Sequence, residues 1–263
     1  MTTLFKNEQE IEYIRAAGIA VASTLETLRK AILDGERNAE SLDILAEITL
    51  QEYGAKSAFK GYKPPFHSQA FPSTICLSVN NEIVHGLPIS TKILKDGDIV
   101  SLDLGAEING WYADSAITVP VGQISKEAQK LIDTAIYSFK AGLKKAVAGN
   151  TIGDISAAVE KSVRTSGFKC SAGLQGHGIG QQPHEEPGVP NIGYTKSGMT
   201  IQAGLVICIE PMINAGTSAV SGGVPGQGDS WTIYTADGRL SSHHEHTIAI
   251  TENGPIILTE LPK

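Results

Sequence analysis

The sequence predicts an α+β fold in which a pair of helices followed by antiparallel strands occurs twice in succession, an internal duplication with pseudo-two-fold character. Three observations predict it. Apolar residues recur at helical spacing through residues 7–34; an Asn109-Gly110 turn signal separates two alternating segments; and a second pair of helical segments, 125–148 and 152–166, precedes a second group of strands. No low-complexity linker interrupts the 263 residues, so residues 1–263 are expected to form one domain.

The elements follow in order. In the first helix Ile11, Ile14, Val21, Leu25 and Leu28 share a face with the small Gly18, Asn7 stands at the N-cap position and Gly35 lies just past the end. A second helix runs from about Ala39 to Tyr53. Residues 61–74 carry Pro64, Pro65 and Pro72 without periodicity, which predicts a long loop leading into a strand at 75–79. Residues 98–121, DIVSLDLGAEINGWYADSAITVPV, alternate around Asn109-Gly110 and predict a hairpin. After the second helix pair comes a Gly-rich segment containing GHGIG. From Leu205 onward the sequence predicts strands separated by a long loop at 214–230 and a short turn at 236–238.

Composition excludes several functions. A formal charge of -7 with only 21 Lys+Arg supplies no basic face for nucleic acid or anionic lipid, so no nucleic-acid function is expected. Three cysteines without CxxC spacing suggest neither a disulfide framework nor a zinc knuckle, and fit a reducing, cytoplasmic setting. The start, MTTLFKNEQEIEYIR, puts charges where a signal peptide needs an apolar core, and no apolar run approaches membrane-spanning length. No membrane association is expected.

Acidic residues interrupt apolar strands four times: Asp103 in SLDLGAEI, Asp114 in WYADSAI, Glu210 in LVICIEPM and Glu245 in SSHHEHTIAIT. Either aspartate alone reads as a turn cap or an ion-pair residue. Across a hairpin turning at 109–110, however, the two fall within about two residues of opposition, near enough to meet around one ion. A buried carboxylate is costly unless it is paired or binds a metal, so four such interruptions are better explained by one site. With His177, set between glycines in GHGIGQQPHEEP, they resemble the ligand set of a dinuclear metal hydrolase. Two divalent cations would balance four ionised carboxylates. Oxygen-rich ligation with one imidazole suits Mn(II), Fe(II) or Co(II), with Zn(II) admissible.

The motifs NEIVHGLP, SLDLGAEINGWYAD, GHGIGxxxHEEP, IEPMINAG and EHTI, in this order and over nearly the whole chain, resemble the type I methionine aminopeptidases of the pita-bread fold. The resemblance implies two divalent metal ions held by Asp103, Asp114, His177, Glu210 and Glu245. It makes His85, His184 and Glu210 the catalytic residues, and gives Phe59, Tyr62, Phe71, Cys76, His85 and Trp231 to substrate binding. It further implies that metal-activated water attacks the first peptide bond, releasing methionine from peptides and nascent proteins with a small second residue. Transient contact with the ribosome is left open.

Four features depart from the family pattern, among them the long segment 214–230. Pro183 precedes His184 where an aromatic residue is usual, and His243 and His244 replace an amide and an aromatic residue. The link between Tyr62 and Phe71 carries the longer KPPFHSQA. This inserted loop, through Phe66 and His67, is expected either to complete the side-chain pocket or to be a surface elaboration. Two other functions compete: an X-Pro dipeptidase or aminopeptidase of the same fold, which generally carries a separate N-terminal domain, and a non-catalytic binding protein, which would be expected to have lost ligands.

Overall fold

The apolar stripe of the first segment folds as α1 (Glu8–Leu33), started by Asn7, whose side chain accepts from the Glu10 amide while the Glu10 side chain accepts from the Asn7 amide. A computed structural model describes residues 4–65, 67, 69–222 and 229–261. Ile14, Val21 and Leu28 of α1 are fully buried. Gly18 lies among them because the chain passes directly overhead: a Cβ there would sit 2.2 Å from the Leu258 carbonyl oxygen. Asn38 caps α2 (Ala39–Glu52) through the Ser41 amide.

Short strands β1 (Lys56–Ser57), β2 (Cys76–Val79) and β3 (Glu82–Val84) precede the long hairpin of β4 (Ile99–Ile108) and β5 (Trp111–Pro120). The second half repeats the plan with α3 (Lys126–Leu143), α4 (Ile152–Thr165), β6 (Lys169–Cys170), β7 (Gln175–Gly178), β8 (Glu185–Pro190) and β9 (Val206–Ile209). It continues through β10 (Met212–Asn214), β11 (Val220–Gly222), β12 (Ile233–Thr235), β13 (Ser241–His243), β14 (Glu245–Thr251) and β15 (Gly254–Ile257). Nine strands form one sheet in the order β1-β4-β5-β14-β9-β7-β8, with β2 also on β4 and β15 also on β14. Both halves therefore contribute to one sheet.

Two apolar cores match the two helix pairs. Val100, Leu102, Leu104 and Ala106 of β4 pack with α1 and α2, while Ile207 and Ile209 of β9 and Ile248 and Ile250 of β14 pack with Leu131 and Phe139 of α3 and Ile155 and Val159 of α4. Because strand side chains alternate faces, Ser101, Asp103 and Gly105 point away from the α1 core. That opposite face carries the site.

The structure corrects the expected boundaries in four places. The helix expected over 125–148 ends at Leu143, its carbonyls closed by turn bonds from Lys145 to Gly142 and from Ala146 to Leu143. The segment 214–230, expected as loop, contains the three-residue β11, which pairs with β12. β3 was hidden beside NEIVHG because it is only three residues long. β8, EEPGVP, contains two prolines and reads as loop, yet it closes the end of the sheet path, where a missing amide donor forfeits no bond to an outer neighbour. No helix among the described residues is long and apolar enough to cross a membrane.

Candidate metal centre

Strand register assembles the acidic residues. Cys76 of β2 pairs with Asp103, Asp103 with Ala116, and Ala116 with Glu245, so one row of partners crosses β2, β4, β5 and β14. Asp114 pairs with Gly105 and lies two residues before Ala116, on the same face. The two aspartates are thus diagonal neighbours rather than direct opposites, as the turn at 109–110 requires. Glu210 follows Ile209, the partner of His246, and so arrives beside Glu245; its carbonyl oxygen accepts from Asn191 Nδ2 at 3.0 Å. His177 stands on β7 between two glycines that have no room for a side chain. A Cβ on Gly176 would lie 2.3 Å from the Cys208 carbonyl oxygen, and one on Gly178 2.2 Å from that of Glu186.

The donors meet in three overlapping groups, each with its ligand atoms within 4.8 Å of one another: Asp103, Asp114 and Glu245; Glu210, His243 and Glu245; and His177, Cys208 and Glu245. Asp103 Oδ1, Asp114 Oδ1, Glu245 Oε1 and both ring nitrogens of His243 are buried without a hydrogen-bond partner among the described residues. Orphaned buried acceptors of this kind are costly, and a cation is what would satisfy them. The donor set therefore fits divalent metal. Burial, reinforced by Asp114, holds Glu210 well above the usual carboxylate range, and burial with Asp114, Glu210 and Asp103 does the same for Glu245. Burial with the charges of Asp114 and Glu210 raises Asp103, and burial raises Asp114 to about 7. Burial pushes His177 and His243 down to about 3, which favours the neutral, metal-ligating imidazole. The Cys208 thiol is raised well above its ordinary range and lies 3.5 Å from Thr247 Oγ1, consistent with a packed thiol.

A cavity of about 740 Å³ opens over these donors and is also lined by Phe59, Tyr62, Phe71, Cys76, His85, His184 and Trp231, every residue the sequence assigned to substrate binding or catalysis. His85 adopts φ +58, a conformation rare outside glycine and held here by neighbours, Thr232 Oγ1 donating to its carbonyl oxygen at 3.4 Å. Burial by the cleft walls, with His184 and His67 nearby, lowers His85 to about 4. His184 Nδ1 lies 3.2 Å from the Tyr62 hydroxyl, and its ring centre is 4.4 Å from that of His177. Phe71 and Trp231 meet edge to face at 5.1 Å.

The inserted loop contributes to this wall. His67 is 7% exposed and stacks on Trp231 with ring centres 3.8 Å apart, its Nε2 lying 3.1 Å from the Ser230 carbonyl oxygen. Phe66, the other residue expected there, lies outside the described residues. Pro183 is buried. The residue that sequence reasoning missed is His243, visible in the sequence only as a departure from the family pattern and never assigned to the site.

The model of metallopeptidase family M24 matches residues 12–252. The methionine aminopeptidase of Clostridium acetobutylicum is 44% identical over 256 residues, spanning 97% of this chain and 98% of that protein. The crystal structure of methionine aminopeptidase from Thermotoga maritima superposes with a TM-score of 0.91 at 36% identity, covering 99% of this chain and 100% of that one. The prolidase from Pyrococcus furiosus shares the fold alone, with a TM-score of 0.75 at 21% identity over 99% of this chain and 66% of the prolidase.

Proposed function

Because the chain belongs to metallopeptidase family M24, among its type I methionine aminopeptidases, we propose that Asp103, Asp114, His177, Glu210 and Glu245 hold its divalent metal and that the adjoining aromatic cleft receives the methionine side chain. The protein is a metal-dependent exopeptidase of the pita-bread fold that removes N-terminal methionine, and polypeptide N-termini are its substrates. The observation that carries the site assignment is the set of orphaned buried acceptors converging on Glu245. An X-Pro specificity has support only from fold likeness, whereas the closely similar curated relatives are methionine aminopeptidases. A non-catalytic role has no support in the ligand set, because all five expected donors are present.

Four carboxylates match the charge of two divalent ions, so the reading extends to two, drawn from Mn, Fe, Co or Zn. Bound there, the metal supplies Lewis acidity and water with a pKa brought towards neutrality. Glu210 is the base that takes the water proton and passes it towards the leaving amine. In this reading the Tyr62 hydroxyl, 3.2 Å away, donates to His184 Nδ1, which leaves the ring proton on Nε2 to donate to the scissile carbonyl oxygen as charge develops. His85, fixed by its backbone at the cleft mouth, orients the peptide nitrogen. Phe59, Tyr62, Phe71 and Trp231, with Cys76 at the floor, supply an apolar berth for methionine. Residues 1–263 form one catalytic domain in this reading, since donors come from both helix-strand halves. Nascent chains are made in the cytoplasm, which places the enzyme and any transient ribosome contact there.

The test compares peptides. Met-Ala-Ser should be cleaved much faster than Met-Leu-Ser, and N-acetylated Met-Ala-Ser should not be cleaved. Faster turnover of Ala-Pro-Ser than of Met-Ala-Ser would overturn the proposal in favour of an X-Pro enzyme.

A further inference from the structure

His243 ends β13, where its backbone pairs with Met212 of β10. Thr118 pins that backbone from the other side, accepting from the His243 amide at 3.1 Å and donating to its carbonyl oxygen at 2.8 Å. The side chain is only 2% exposed, and neither nitrogen has a hydrogen-bond partner among the described residues. A buried imidazole with both nitrogens unsatisfied calls for a specific explanation. Its surroundings supply one: Nε2 lies 3.5 Å from Glu210 Oε2 and 3.9 Å from Glu245 Oε2.

Those gaps distinguish two roles. N–H···O bonds span about 2.7 to 3.2 Å, so Nε2 stands too far from either oxygen to be satisfied by donating to it. Donors about 2.1 Å from a shared ion lie as much as about 4.2 Å from one another, and both gaps fit inside that limit. The comparison within the site is direct. His177 Nε2 stands 3.5 Å from Glu210 Oε1, the same separation that His243 Nε2 keeps from Glu210 Oε2, so the two imidazoles flank one carboxylate.

We propose that His243 is a sixth protein donor to the metal centre, giving the ion between Glu210 and Glu245 a second imidazole beside that of His177. The inference rests on the metal-binding reading of the site and adds a ligand to it. An amide at this position, as in the family pattern, would offer a weaker, harder donor. The additional imidazole would shift the site's preference towards ions that favour nitrogen, such as Co(II) and Zn(II), over Mn(II).

The test counts imidazoles at the metal, independently of catalysis. Protein loaded with two equivalents of Co(II) is measured by X-ray absorption, alongside His243→Gln and His177→Gln, with calorimetric titration of the same three proteins. The expected result is two imidazoles per centre in the natural protein and one in each variant. His243→Gln should also weaken one binding step by at least about 10-fold, the loss that removing even a ligand's hydrogen-bond partner brings. One imidazole in the natural protein, with normal Co(II) uptake, would overturn the role of His243 while leaving the metal centre standing. Failure of the natural protein to take up Co(II) at all would overturn both. Should His243→Gln fail to fold, the imidazole count in the natural protein decides alone.

Discussion

Glu245 belongs to all three groups of converging donors, and Asp114, Glu210 and Asp103 all add to the burial that raises its pKa. Its raised pKa and those of Asp103, Asp114 and Glu210 have a stability consequence in protein stripped by chelation. A carboxyl whose folded pKa exceeds its unfolded value stabilises the fold while protonated, and that contribution is lost as pH rises through the folded pKa. Each loss starts at the unfolded value near 4; that of Asp114 is complete by about pH 7, and the other three, raised well above the carboxylate range, carry theirs higher. The buried histidines act oppositely but finish titrating by about pH 6.5, their unfolded value. Chelated protein should therefore lose thermal stability as pH rises above about 6.5, where the histidines no longer offset the carboxyls, and saturating divalent metal should remove that slope; a flat chelated profile would contradict the assignment. A second prediction at this scale concerns His67, whose stack on Trp231 is worth roughly 1 kcal/mol, so His67→Ala should raise KM for Met-Ala-Ser about five-fold with kcat nearly unchanged. An unaltered KM would return the loop to a surface elaboration. The four acidic interruptions were legible in the sequence because apolar strands make them conspicuous. His243 was not, because its importance lies in two distances that only the pairing of β13 with β10 creates.

Among the elements, the turn leading into β8 carries His184 and is held from a distance. Glu185 Oε1 accepts from the amides of Gln181 and Gln182, and its Oε2 accepts from Lys6 Nζ at 2.6 Å, with both side chains almost wholly buried. Removing one partner of a buried pair leaves an uncompensated charge and costs about 3 to 5 kcal/mol. Lys6→Met should accordingly lower the thermal midpoint and, by loosening the turn, lower kcat. The double variant with Glu185→Gln should recover part of the stability, and a single variant as stable as the natural protein would refute the role of the pair. The sequence disclosed the elements whose signals are local. Asn7 marked the start of α1, and Asn109-Gly110 marked the hairpin. It concealed β3, β8 and β11, because three-residue strands and a proline-bearing edge take their identity from partners distant in sequence rather than from their own pattern. Lys6 was silent for the same reason, its partner lying 179 residues away.

At the scale of the whole molecule, two helix-backed halves contribute to one sheet, and the site forms where β4 and β5 of the first half meet β14 and β9 of the second. Neither half contains the full donor set. Asp103 and Asp114 come from one, and His177, Glu210 and Glu245 from the other, so four carboxylates that repel one another are brought within reach by the packing of two apolar cores. The repeated plan and the acidic donors could be read from the sequence, while the row linking Cys76, Asp103, Ala116 and Glu245 needed the register of three strand pairs. The proposed role of these donors is to hold divalent metal for release of N-terminal methionine. The most direct measurement is hydrolysis of Met-Ala-Ser by exhaustively chelated protein, by the same protein with metal restored, and by folded Asp103→Ala and Glu210→Gln variants. Negligible release of methionine is expected without metal, with recovery on adding a divalent ion and a loss of at least about 100-fold in each variant, as when a ligand or the base is removed. Undiminished hydrolysis by the chelated protein, or by Glu210→Gln, would contradict it.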